Sequence, residues 1–181
     1  IWKIPLKSRI GTGIVFNKTI TPVSEAKKIF LNHWKQRVGP TKLLNWTPYY
    51  KKEFWKDNVV RIGLSAGFIE PLESTGLALI MEGAHQLLIA LSGAGFTSYD
   101  VAIYNAVIQN FFEESIDFVG SHYTLNTRSE SFWCKARSQI KKSKRQLLYS
   151  KLLKNSPPTD RGFLSYSFFT RINWDLWLRQ Q

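Results

Sequence analysis

The sequence predicts an α+β fold, with strands gathered towards the N-terminus and a mostly helical part after them. A change of period carries this reading. Before Gly76, short aromatic and β-branched runs are broken by glycine and proline, whereas after it apolar residues recur three and four apart. Composition supports a real core, because 44% of the 181 residues are hydrophobic and 14% aromatic, enough for one ordinary domain. Residues 1–76 read as a strand-rich part and 77–181 as a mostly helical part of one continuous unit.

Taken in order, residues 6–16 alternate loosely around Gly11 and Gly13, which predicts one or two strands joined by a tight turn. Thr21-Pro22 predicts a helix start, with Thr21 as cap and Pro22 in the first turn. Ile29, Phe30, His33 and Trp34 form that helix's apolar face, and Gly39-Pro40 should end it. Lys42 to Leu64 reads as strands. Leu77 to Leu91 is apolar almost all round, so it is expected between two other layers.

A Ser-Gly-Ala-Gly loop follows at 92–95. Asp100 to about Leu125 then sets Tyr104, Ile108, Phe111, Phe112, Phe118 and His122 at helical spacing. One basic helical region covers Ser131 to Lys154 and is broken by Ser156-Pro157-Pro158. The tail from Arg161 to Gln181 carries Phe163, Tyr166, Phe168, Phe169, Trp174 and Trp177. No internal repeat or low-complexity segment interrupts this order.

Several function classes lose support at this level. The single cysteine, Cys134, rules out an internal disulfide framework and a cysteine-rich zinc site, and agrees with a reducing, cytoplasmic location. His33, His85 and His122 have no metal-ligand spacing, so no metal is expected and all three read as structural. Glu82, His85 and Gln86 interrupt the longest apolar run, which therefore reads as a buried helix and not a membrane span. The net charge of +12 gathers in the acid-free stretch from Lys135 to Lys154. A solvated basic helix surface is expected there, with contact to a polyanion as the competing reading. No Gly-x-Gly-x-x-Gly fingerprint is present, since Gly11-Thr12-Gly13 lacks the third glycine and the following helix.

The most informative segment is Gly67 to Gly76, Gly-Phe-Ile-Glu-Pro-Leu-Glu-Ser-Thr-Gly. Glu73 stands directly before a turn that opens an apolar helix. A helix start leaves its first backbone N–H groups without intrahelical partners, and with the helix dipole they attract a small anion or a polar cofactor edge. Glu73 as a simple dipole-complementing cap residue is the alternative.

The longer segment Asn58 to Leu77 resembles the flavin-contacting stretch of the flavin-dependent tryptophan halogenases. Ile1-Trp2-Lys3-Ile4-Pro5-Leu6 resembles a truncated copy of that family's Trp-x-Trp-x-Ile-Pro signature. His122-Tyr123, Arg128 and Phe132-Trp133 are similar to its His-Tyr…Arg…Phe-Trp pattern.

The resemblance implies the C-terminal part of a longer FAD/NAD(P)-binding-type flavoenzyme, in which the N-terminal strands join a flavin and substrate sheet and the helices form a cap. It implies reduced FAD supplied by a separate flavin reductase, with halide and O2 as co-substrates. A flavin hydroperoxide would oxidise halide, and an electron-rich aromatic such as tryptophan or another indole would be halogenated. By the same resemblance Glu73 is the catalytic and substrate-contacting carboxylate, and Thr75 and Gly76 form the halide-binding turn. Leu64 and Leu77 contact the flavin ring, Trp174 stacks on the substrate, and Trp2, Ile4 and Pro5 separate flavin from substrate.

The missing dinucleotide-binding portion and an upstream lysine are implied partners of this chain, which is expected to be inactive alone. A homo-oligomer is compatible with the resemblance, and neither nucleic acid nor membrane is an expected partner. Phe169 stands about where tryptophan-specific members carry a carboxylate, and Pro48 to Lys52 departs from the expected glycine-arginine pattern. The substrate thus stays open between tryptophan, another indole, a phenol and a carrier-bound aromatic. A flavin-dependent aromatic monooxygenase, or a non-catalytic basic nucleic-acid-binding module, are the alternatives.

Overall fold

The computed structural model describes residues 1–35, 37–93, 95–155 and 167–179, and among them are six short strands, six α-helices and two short 3-10 turns. Two compact units emerge. One comprises Ile1–Asn45 with Ser129–Lys135, and the other comprises Trp46–Arg128 with Ala136–Gln181. The boundary therefore falls before the flavin-like segment, and residues on both sides of Gly76 share one unit.

The first unit opens with a hairpin of β1 (Trp2–Pro5) and β2 (Ile10–Gly13), closed by a Leu6 N–H bond to the Arg9 carbonyl at 2.8 Å. The strand pair expected within 6–16 thus begins four residues earlier, because Leu6 to Arg9 form the turn. Trp2 explains the glycines opposite it. A Cβ on Gly13 would lie 2.6 Å from the Trp2 ring, so only glycine lets the indole lie across β2.

Helix α1 (Val23–His33) buries Ala26 and Phe30. Its N-cap is Pro22 and not Thr21, with no side-chain cap bond, and its end comes at Trp34 and Lys35 instead of Gly39. Lys35 takes a left-handed conformation (φ 49°), which turns the chain out of the helix before the glycine is reached.

The second unit holds the core. Between Lys42 and Leu64 the expected strands shrink to two-residue ladders. β3 (Tyr49–Tyr50) pairs with β6 (Gly67–Phe68), and β4 (Trp55–Lys56) pairs with β5 (Val59–Val60), all antiparallel. Side-chain packing, not an extended sheet, organises this region. Tyr50, Phe54 and Phe112 stack nearly parallel, with Phe54 and Phe112 centroids 5.4 Å apart.

Asn105 of the long helix locks the second ladder in place. Its Oδ1 accepts from the Phe54 and Trp55 N–H groups at 2.6 and 2.9 Å, and its Nδ2 donates to the Trp55 carbonyl at 2.8 Å. The glycine at 67 is required because a Cβ there would meet Tyr49 O, Tyr50 Cβ and Phe112 Cε1, each at 2.7 Å.

Helix α2 (Thr75–Leu91) crosses α3 (Ser98–Thr124), where Tyr104 Oη donates to the Gly83 carbonyl at 3.3 Å. Only Thr75 and Gly83 of α2 are buried, and Leu77, Met81, Leu88 and Leu91 are exposed. The expectation that α2 lies between other layers is met only in part: among the described residues α3 and the Gly63–Ser65 turn pack on it and leave these apolar side chains exposed. Helix α3 matches its predicted periodicity, burying Tyr104, Ile108, Phe112, Phe118 and Val119. It is capped by a reciprocal pair, Thr97 with Asp100, as a polar N-cap requires.

The single basic helix expected from Ser131 to Lys154 is two helices, α4 (Ser131–Gln139) and α5 (Lys144–Asn155). Ser143 starts the second by accepting from Gln146 N–H at 3.1 Å. Helix α6 (Arg171–Leu178) closes a second aromatic cluster, in which Phe118, Tyr149, Phe169 and Trp174 are buried together. Ser156-Pro157-Pro158, Phe163 and Tyr166, with Ala94 of the glycine loop, lie outside the described residues. Among the described residues no helix is long and apolar enough to cross a membrane.

Candidate active site

One half-buried pair ties the decapeptide to α3. Tyr123 Oη of α3 donates to both carboxylate oxygens of Glu70, at 2.9 and 3.0 Å. Burial pushes the Glu70 carboxyl up from its ordinary pKa, while the Tyr123 donor pulls it part of the way back. Beyond Pro71 a short 3-10 turn, Leu72–Ser74, leads into α2. Ser74 is left-handed (φ 55°, ψ 25°), a conformation costing a non-glycine residue roughly 1–2 kcal/mol. The strain in this turn therefore sits at Ser74 and not at Gly76, which has no positive φ.

Thr75 is 1% exposed. Its N–H and its hydroxyl both serve the Leu72 carbonyl, the hydroxyl at 2.8 Å. The expectation of an unpaired amide at Thr75 is thereby corrected, because the 3-10 turn absorbs it. Gly76 follows in the first turn of α2, where helices leave N–H groups without intrahelical partners. A Cβ at Gly76 would meet Phe68 Cε2 at 3.9 Å, an ordinary contact distance, so a small side chain would be tolerated there. Glu73 is described for its main chain alone, between Leu72 and Ser74.

The apolar pair beside this turn is exposed, Leu64 at 68% and Leu77 at 66%. Leu64 lies in the 3-10 turn Gly63–Ser65, which is held by a Tyr49 Oη bond to the Leu64 carbonyl. The same turn packs on α2 through Gly63, whose Cβ position is 3.3 Å from Ile80 Cγ1. The turn that carries Leu64 thus packs on the helix that carries Leu77.

An open cleft of about 850 Å³ starts at Thr75 and runs along α2. One wall is the α2 face of Thr75, Ala78, Glu82 and Gln86, spaced three and four apart, with Met81 at its rim. The second wall is α3, through Ala106, Val107, Asn110 and Phe111. Phe168, Phe169 and Asn173 of the tail complete it with Ser167.

Sequence reasoning missed the residues that hold these walls together. Glu114, 7% exposed, accepts from the Phe168 N–H at 2.6 Å and from Asn110 Nδ2 at 3.0 Å, fastening the tail to α3. Arg145 of α5 bridges Asp117 at 3.0 Å and Asn110 Oδ1 at 3.4 Å. The available signal was the polar row Asn110, Glu114 and Asp117, at spacings of four and three along α3.

The other expected site residues divide between core and the first unit. Trp174 is 1% exposed, set edge-on against Phe118 and Tyr149 at 5.0 Å each, so its ring has no exposed face for a substrate. Trp2, Ile4 and Pro5 form β1, with Trp2 and Ile4 42% and 53% exposed. Of the three histidines, His122 stacks on Trp177 (centroids 3.9 Å apart), His33 lies edge-on to Trp34 and His85 sits 3.5 Å from Glu82.

Comparison with known proteins decides the family, for the Tryptophan halogenase model matches residues 1–179. The chain belongs to the flavin-dependent tryptophan halogenase family. It is 26% identical over 183 residues to Tryptophan 7-halogenase RebH of Lentzea aerocolonigenes, covering 97% of this chain and 34% of that protein. It spans between a quarter and about a third of the length of the curated relatives it matches.

Among solved structures, a thermophilic tryptophan halogenase from Streptomycin violaceusniger superposes with a TM-score of 0.85 at 25% identity, over 98% of this chain and 35% of that one. Xcc4156, a flavin-dependent halogenase from Xanthomonas campestris, gives 0.76 at 26% identity, over 96% and 36%.

Proposed function

We propose that this chain is the C-terminal, substrate-side part of an FAD-dependent halogenase acting on an electron-rich aromatic such as tryptophan or another indole. The observation that carries this reading is the cleft that begins at Thr75, beside the Glu73 turn, with phenylalanines on two of its walls. A volume of about 850 Å³ lies within the range of small-molecule sites, and aromatic walls suit a planar ring.

The residues present fit the flavin that the family implies. Leu64 and Leu77 offer exposed apolar side chains, and Gly76 presents no side chain in the first turn of α2. When bound, reduced FAD with O2 supplies the oxidising equivalents that convert halide into an electrophilic halogen. In this reading the halide rests at the head of α2, drawn by the Gly76 N–H and the helix dipole. Thr75 contributes by keeping the turn closed on the Leu72 carbonyl.

Glu73 is assigned the carboxylate role. Electrophilic attack makes the ring cationic, and a carboxylate nearby stabilises that charge and then accepts the ring proton. Phe111, Phe168 and Phe169 hold the ring flat. Trp174 acts through Phe118, against which Phe169 also stacks at 4.1 Å. Trp2, Ile4 and Pro5 are assigned to the partition between flavin and substrate, and a separate reductase delivers the reduced flavin.

The test uses the protein extended upstream of Ile1, supplied with FAD, a flavin reductase, O2, bromide and an indole. A brominated product that vanishes when bromide is omitted supports the proposal. A hydroxylated product formed without halide would instead identify an aromatic monooxygenase. Steep salt-dependent binding of DNA, with no turnover of either kind, would favour a basic binding module.

A further inference from the structure

We propose that Tyr123 and Glu70 are positioning residues for Glu73: their hydrogen bond holds Ser74 left-handed and so fixes how the main chain at Glu73 meets α2. The inference rests on Glu73 being the carboxylate of the proposed chemistry and adds the residues that keep it in place.

Ser74 is the N-cap of α2, and its conformation is costly there in two ways. An N-cap serine ordinarily takes extended backbone and turns its hydroxyl onto an amide of the first helical turn. Here the residue sits at φ 55°, ψ 25°, and its side chain makes no cap bond. It carries the steric cost of a Cβ in the left-handed region and forgoes the bond that suits a serine. Lys35 and Asp57, also left-handed, have local reasons for it, since Lys35 ends α1 and Asp57 lies at the tip between β4 and β5. Nothing in the Ser74 side chain favours its arrangement. Strained backbone of this kind persists only where the surrounding structure imposes it.

The surroundings that impose it come from α3. On the near side of the turn Tyr123 Oη holds Glu70, and on the far side Tyr104 Oη reaches the Gly83 carbonyl of α2 at 3.3 Å. The Glu70 bond has a charged acceptor, which makes it the stronger of the two. Pro71 follows Glu70 directly, and its ring fixes φ at −76°, so few rotations separate the anchor from Ser74. With the Tyr123 bond removed, Ser74 relaxes to the extended N-cap conformation and carries Glu73 out of place. Neither Tyr123 nor Glu70 lines the cleft, so both act through the turn and not through the substrate.

The test uses the protein extended upstream of Ile1, with FAD, a flavin reductase, O2, saturating bromide and an indole, below the melting range. Tyr123→Phe should lower kcat for bromination about tenfold, the scale of one hydrogen bond to a charged group, and leave the KM for the indole unchanged. Ser74→Gly is the deciding background, because glycine takes the left-handed conformation without steric cost and has no hydroxyl to cap α2. In that background Tyr123→Phe should change kcat by less than about twofold, as expected once the coupling is gone, while still lowering the melting temperature. Glu70→Gln keeps an acceptor for the Tyr123 hydroxyl and should lose less kcat than Tyr123→Phe, which serves if the phenylalanine variant does not fold. An unchanged kcat in Tyr123→Phe, an equal loss with and without Ser74→Gly, or a loss seen only as a raised KM would overturn the positioning role. A parent protein that makes no brominated product would sink the halogenase reading by itself. In that case, or if Ser74→Gly is inactive, the crystal structure of the folded Tyr123 or Glu70 variant decides. Ser74 displaced from the left-handed region supports the positioning role, and Ser74 unmoved overturns it.

Discussion

Tyr123 donates one hydroxyl to both oxygens of Glu70, tying the C-terminal end of α3 to the peptide that leads into the Glu73 turn, 53 positions away in sequence. Glu70 depends on this donor, since a half-buried carboxylate that loses a hydroxyl bond is left in surroundings that disfavour its charge. Burial and the Glu70 charge also raise the Tyr123 phenol well above its ordinary value, so it remains a donor at any working pH.

Tyr123→Phe should destabilise the chain by about 1–3 kcal/mol at neutral pH. The pH dependence has a definite sign. Because burial lifts the Glu70 carboxyl in the folded state, its contribution to stability is fullest below the ordinary carboxylate range and is lost as pH rises through the lifted value. Removing the Tyr123 donor lifts it further, so the penalty should grow from pH 4 to pH 7. Thermal melts of both proteins across that range measure the difference, and a penalty that shrinks with rising pH would contradict the pairing.

Asn105→Ala should cost about 1–3 kcal/mol for each polar group it strands, namely the Phe54 and Trp55 N–H groups and the Trp55 carbonyl. Asn105→Asp keeps both accepted bonds and loses only the donated one, so it should fall between Ala and the parent. Urea denaturation midpoints give the order.

Two glycines of the decapeptide should respond oppositely to alanine. At Gly67 the new Cβ would press on the Tyr49 carbonyl, the Tyr50 Cβ and the Phe112 ring at 2.7 Å, which should cost about 1–3 kcal/mol through overpacking. At Gly76 the backbone is helical and the nearest atom is 3.9 Å away, so alanine should leave stability unchanged or raise it by up to ~1 kcal/mol. A destabilised Gly76→Ala chain in calorimetry would mean that the head of α2 is packed, not open.

In the upstream-extended protein, Glu73→Gln should leave folding and flavin binding intact and lower halogenation by roughly 10²-fold, the scale of one lost electrostatic contact in a transition state. Single-turnover product yield with preformed reduced FAD isolates this step. Near-normal yield would remove Glu73 from the chemistry.

Local pattern alone made several features legible. The helical period of α3 and its buried residues followed from apolar spacing, and the helix beginning at the Ser-Thr-Gly turn followed from the apolar run after Gly76. The resemblance carried by Asn58 to Leu77 led to the family, because a long motif around a helix start keeps its chemistry wherever it is placed. What the pattern misjudged were the features that distant residues set. The strands of Lys42 to Leu64 are only two residues long because Asn105 and the Phe112 stack, both on α3, take over the work of a sheet.

Only the tertiary structure decided what lies around the turn. It committed the Thr75 amide to the Leu72 carbonyl and sealed Trp174 among Phe118 and Tyr149. It also assembled a cleft from three segments that no spacing rule connects. Glu114 reaching the Phe168 N–H across 54 positions is the clearest case. A sequence records which residues can donate, accept or pack, but whether a group is spent or open depends on which distant partner arrives, and that is settled when the chain folds.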